Sequence, residues 1–116
     1  MSKIDDLTRL KHIRDASERI IQFTEGRSRS DLDTDEMLAL ALVRLVEIIG
    51  EAANHISPDC QGNYSNIPWR QMIGMRNRLV HAYFDVDLDI LWVVVSRNIP
   101  TVLGQITTVL AMLENQ

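Results

Sequence analysis

The chain has 116 residues, 46% of them hydrophobic and 24% charged. That length and balance fit one soluble globular domain over residues 1–116 and leave little room for two independent cores. The net charge of −4 argues against a general nucleic-acid coat protein, which would be basic. The longest unbroken apolar run, Met37 to Val43, is seven residues, whereas a membrane-spanning helix needs ~20. The opening Met1-Ser2-Lys3-Ile4-Asp5-Asp6 lacks the apolar block of an export signal, so a cytoplasmic protein is expected. The single Cys60 has no internal disulfide partner, which fits a reducing compartment.

The elements follow in chain order. Leu7, Leu10, Ile13, Ala16, Ile20 and Phe23 recur mostly at spacings of three or four and predict a first helix ending near Glu25-Gly26. Asp33 followed by Glu36 reads as a capping box. It would open a long second helix running to about Ile56. Leu38, Leu42, Leu45, Ile49, Ala52 and Ile56 line one face of that helix. Ser57 to Ile67 reads as a loop. Pro68 suits the first turn of a third helix, carrying Trp69 to about His81. Asp87 is placed to cap a fourth helix from Leu88, and Pro100 should kink or divide it. No segment alternates apolar and polar residues as a half-buried strand would. The expected fold is an all-α, up-and-down bundle of four or five helices. Leu40 and Val43 on the second helix, and Leu91 to Val95 on the fourth, add apolar surface beyond one stripe. A two-fold dimer would cover it, and a well-filled monomer core would also account for it.

Charge is unevenly spread. Cys60 to Phe84 holds no Asp or Glu and carries Arg70, Arg76 and Arg78, while the other 91 residues hold nine basic and sixteen acidic side chains. The densest chemistry is Gly74-Met75-Arg76-Asn77-Arg78-Leu79-Val80-His81-Ala82-Tyr83. A guanidinium offers a planar fork of donors to phosphate, and an imidazole exchanges protons near neutral pH. Together they meet two needs of RNA strand cleavage: charge stabilisation on a pentacoordinate phosphorus and proton transfer at the 2′- and 5′-oxygens. No metal is required if the RNA 2′-hydroxyl is the nucleophile. On a straight helix Arg76 and His81 would point roughly 140° apart, while Asn77, four residues before His81, would share its face and orient it. Either the helix is distorted near His81, or two copies of the segment meet across a dimer axis.

The motif Arg76-x4-His81-x-Tyr83 resembles the signature of the HEPN family, and most of all its HepT-like toxins, which pair with a minimal nucleotidyltransferase antitoxin. The resemblance extends to Arg44, Ile49-Gly50-Glu51-Ala52, Pro68-Trp69, Ile73-Gly74-Met75-Arg76-Asn77, Val86-Asp87, Leu91-Trp92 and Pro100. It implies an all-α homodimer with facing motifs and a metal-independent endoribonuclease that leaves a cyclic phosphate. Its substrate would be RNA, either tRNA or mRNA. Arg76 and His81 match the family's catalytic pair, and Asn77 matches the polar residue that follows the arginine. Tyr83 matches the tyrosine that the antitoxin modifies with AMP, which would put phosphate charge beside the cleft. Glu51 lies in the family-like Gly-Glu-Ala stretch and is a candidate to orient Arg76. A non-catalytic module that binds a nucleotide or the nucleotidyltransferase is the alternative.

The remaining candidates read more plainly. Arg70 and Arg78 are surface residues that could also contact phosphate. Glu47 and His55 fit a solvated helix face with i,i+4 pairing. One Glu and one His at helical spacing are too few ligands for a metal, so neither a metal nor another cofactor is expected. Six aromatics are too few for a base-stacking surface, which makes Trp69 and Trp92 core or interface anchors. Cys60 is expected to be an inert thiol, and Gly50 and Gly74 to permit close helix approach.

Overall fold

The computed structural model describes residues 5–82 and 85–115. Helix α1 spans Asp6–Thr24, and the Asp5 carboxylate accepts from the Thr8 N–H at 2.8 Å to cap it. A four-residue helix α2, Asp31–Thr34, precedes α3, Glu36–Asn54. The cap of α3 is Asp35, which accepts from the Leu38 N–H at 3.0 Å. It is not Asp33, because that residue lies inside α2 and its carboxylate is taken by the Arg29 guanidinium at 3.1 Å.

The segment expected to be a loop after α3 contains α4, Pro58–Asn63, with Ser57 as its cap and Pro58 in its first turn. Ser57 also donates through its N–H and hydroxyl to the two carboxylate oxygens of Asp6, at 2.9 and 2.6 Å. Those bonds pin α4 to the start of α1. Helix α5 spans Trp69–Leu79. It begins where the buried Trp69 indole donates to the Tyr64 carbonyl at 3.1 Å.

Helix α5 stops two residues short of His81. Val80 turns to extended backbone at φ −114° and ψ 105°, and Val80–Ala82 forms β1, antiparallel to β2, Asp85–Val86. This ribbon is a departure from the purely helical expectation; strands of three and two residues are too short to show alternation in sequence. The Asp87 N–H donates to the Leu79 carbonyl at 2.7 Å and closes the excursion.

Asp87 then caps α6, Leu88–Val93, accepting from the Ile90 N–H at 3.0 Å. Pro100 divides the following helix as expected. Its missing N–H cannot bond four residues back, and the chain absorbs this in a π-helical turn, Val94–Asn98, before α7, Ile99–Glu114.

Helix α3 is the centre of the bundle, packed against α1 on one side and α5 on another, while α1 also packs on α7. All six apolar residues predicted for the stripe of α3 are buried. Fully burying each larger one contributes roughly 1.5–3 kcal/mol. The surplus divides: Val43 is buried, but Leu40 is 57% and Met37 83% exposed. No helix among the described residues is long and apolar enough to cross a membrane.

One glycine fixes the helix spacing. A Cβ on Gly50 would meet the Met72 carbonyl oxygen at 3.0 Å and that of Ile73 at 3.4 Å, so α3 and α5 touch backbone to backbone there. Gly74 does not act this way, since a Cβ on it meets nothing within 4 Å. Cys60 lies on α4, where burial pushes its thiol pKa up, with a smaller push from the Asp6 charge.

Gly50→Ala is expected to destabilise the fold by about 1–2 kcal/mol, overpacking outweighing the helix-propensity gain. Gly104→Ala, where a Cβ meets open space, should instead stabilise by about 0.5–1 kcal/mol. Denaturant unfolding of both variants checks the pair. Because the raised thiol pKa keeps Cys60 protonated, its alkylation should be slow in folded protein at neutral pH. The rate should climb as pH rises through the folded pKa, and it should jump at neutral pH once the chain is unfolded in urea.

Candidate active site

Arg76 stands in the last turn of α5 and faces α3 across the Gly50 contact. A cleft of about 410 Å³ opens there, lined by Arg44, Glu47 and Glu51 from α3 and by Arg76 and Asn77 from α5. The Glu47 carboxylate sits between two guanidiniums. Its Oε1 is 3.4 Å from Arg76 Nε, and its Oε2 is 3.5 Å from Arg44 Nη1. Arg76 is 47% exposed at its side chain. Contact through Nε leaves both of its terminal nitrogens without a protein partner.

Glu47 is the functional neighbour that sequence reasoning missed. Glu51 lines the same cleft, but its ion-pair partner is His55, at 3.7 Å. Glu47 and Glu51 are one turn apart on the same face, and only the crossing of α5 over Gly50 decides which one meets Arg76. Arg44, three residues before Glu47, was the available signal.

His81 lies beyond the helix, on β1. Its Nε2 is 3.5 Å from Asp87 Oδ2, so the same carboxylate that caps α6 also faces the imidazole. Hydrogen bonding from the Ile90 N–H, with a smaller contribution from His81, holds the Asp87 carboxyl below the ordinary carboxylate range. Asp87 therefore presents a negative charge at every pH where an imidazole titrates. The segment holding it is fixed from the side as well, because Arg29 Nε donates to Asp89 Oδ1 at 2.7 Å.

The break after Leu79 realises the distorted-helix alternative for Arg76 and His81. It also removes the helical register by which Asn77 would have oriented His81: Asn77 lines the arginine cleft, and the charged partner of His81 is Asp87. Arg70 is exposed in the first turn of α5, on a different cavity wall beside Trp69. Arg78 is exposed in the last turn, roughly 160° around the helix from Arg76. Neither joins the cleft. Tyr83 lies outside the described residues. Among the described residues, no three His, Cys, Asp or Glu side chains converge as a metal-binding group.

Such a site can hold a phosphate on guanidinium donors and present an imidazole backed by a carboxylate. Comparison with known proteins agrees with that chemistry. The family model described as "Ribonuclease HepT-like" matches residues 13–109. A Methanocaldococcus jannaschii protein named "Putative RNase MJ1380" is 34% identical over 109 residues, covering 94% of this chain and 100% of that protein. "Probable ribonuclease HepT" of Thermococcus cleftensis is 41% identical over 96 residues, 83% of this chain and 87% of that protein. No solved structure matches the chain significantly. The extent of the family match, over most of the bundle and both halves of the site, shows that the chain belongs to the ribonuclease HepT-like family of HEPN domains.

Proposed function

We propose that this protein is a metal-independent endoribonuclease that works as a two-fold homodimer, the toxin of a pair whose antitoxin is a minimal nucleotidyltransferase. The whole of residues 1–116 is read as a single HEPN domain. The observation that carries the reading is the placement of Arg76 and His81 on either side of one helix break, both exposed and each held by its own carboxylate. A structural arginine or histidine would be expected to spend its donors on the fold; these two keep donors free.

In the proposed reaction the RNA 2′-hydroxyl attacks the adjacent phosphorus. The bond to the 5′-oxygen breaks, leaving a 2′,3′-cyclic phosphate and a 5′-hydroxyl. The terminal nitrogens of Arg76 stabilise the charge on the phosphorane. His81 moves the proton, with Asp87 orienting the ring and facing the imidazolium form. Asn77, beside Arg76, binds rather than orients. Both steps have a histidine available if two copies of the motif face one cleft.

The exposed apolar residues support such a dimer. Met37, Leu40, Arg44, Glu47 and Glu51 follow at spacings of three and four along one face of α3, so a partner covering Met37 and Leu40 would come up against the cleft. Contiguous exposed apolar surface of this kind commonly marks an interface. AMP on Tyr83 would add negative charge close to the motif and repel RNA.

Protein purified without its partner, with Tyr83 unmodified by mass, should cleave total cellular RNA in excess EDTA. His81→Ala should lower the rate by roughly 10²–10⁴, and Arg76→Ala should also abolish most of it. Asp87→Asn should slow cleavage with little change in unfolding midpoint, because Asn caps a helix about as well as Asp. RNA left intact by a folded parent dimer would overturn the nuclease reading and favour a binding module.

A further inference from the structure

Arg44 belongs to the cleft yet takes no part in the reaction proposed above. Its side chain is 70% exposed, and its one ion pair, to Glu47 at 3.5 Å, uses a single guanidinium nitrogen. Exposed pairs at such distances contribute little to stability, so a stabilising role does not explain it. Glu47 divides its two oxygens between Arg44 and Arg76. The carboxylate thereby holds two cations near each other that would otherwise repel. The other charge on this wall, Glu51, is turned to His55. The floor between the helices is open because Gly50 has no side chain to fill it.

We propose that Arg44 is a second phosphate seat, binding the RNA phosphodiester next to the one held at Arg76, with Glu47 keeping the two guanidiniums in register. The inference rests on the ribonuclease reading and specifies where its substrate runs: along α3 from Arg76 towards Arg44. Phosphate oxygens would accept from the free nitrogens of both arginines, a bidentate mode that guanidinium geometry favours. Arg44 touches the strand away from the bond that breaks, so it governs binding rather than the chemical step.

The test uses the full chain in a His81→Ala background, which binds without cutting. Binding of a short mixed-sequence single-stranded RNA is followed by fluorescence anisotropy in EDTA over a series of salt concentrations. Adding Arg44→Gln should weaken binding roughly tenfold at low salt. It should also flatten the slope of log affinity against log salt by about 0.7, the value for one phosphate contact on a single strand. Arg14→Gln, which removes a charge from α1 where Arg14 pairs with Asp15, should leave the slope unchanged. Thermal unfolding verifies that each variant is folded. Binding by His81→Ala that Arg44→Gln leaves unaltered in affinity and slope would overturn the second seat alone. An absence of RNA binding by folded His81→Ala, together with intact RNA in the parent assay, would overturn the seat and the nuclease reading together.

Discussion

The backbone contact between α3 and α5 at Gly50 is the constraint on which the site depends. It brings the last turn of α5 down onto a helix whose apolar stripe is already committed to the core. The polar side of α3 therefore becomes a wall of the cleft rather than free surface. Which carboxylate meets Arg76, and how far the guanidiniums of Arg44 and Arg76 stand apart, both follow from that crossing. A side chain at position 50 would alter the cleft without touching any residue that carries charge.

Two carboxylates then serve opposite partners by different means. Glu47 is held by nothing except the arginines it faces, so a phosphate can replace it without disturbing a helix. Asp87 is committed on one oxygen to the first turn of α6, and only its second oxygen is available to His81. The arginine side of the site is thus adjustable and the histidine side is rigid. That division suits a reaction in which the substrate must enter against the arginines while the proton-transfer group keeps its orientation.

Much of the bundle was legible because its signals are local. The stripes of α1, α3 and α7, the Asp87 cap and the interruption at Pro100 each lie within a few residues of what they determine. The misreadings all involve a choice made by a distant partner. Asp33 and Asp35 are equally good caps until Arg29 takes the first. The six-residue α4 is too short for periodicity, and its anchor, Asp6, lies at the other end of the chain. Helix α5 ends early because Val80 finds a strand partner in Val86 and because Asp87 reaches back to Leu79. The choice of Glu47 over Glu51 belongs to the same class. The reactive residue types could be named from the motif, whereas their neighbours required the crossing of helices.

The π-helical turn at Val94–Asn98 has a consequence for how this chain tolerates changes in length. A turn bonded one residue wider than an α-helix holds an extra residue within an otherwise continuous rod. Deleting any one of those five positions would restore ordinary helical bonding and rotate everything beyond it by about 100°. Ile99, Val102 and Ile106, which now face inward, would swing out of the core together. Numerous substitutions can be absorbed in this stretch, but the number of residues in it is fixed, so a length change here acts on the whole of α7 at once.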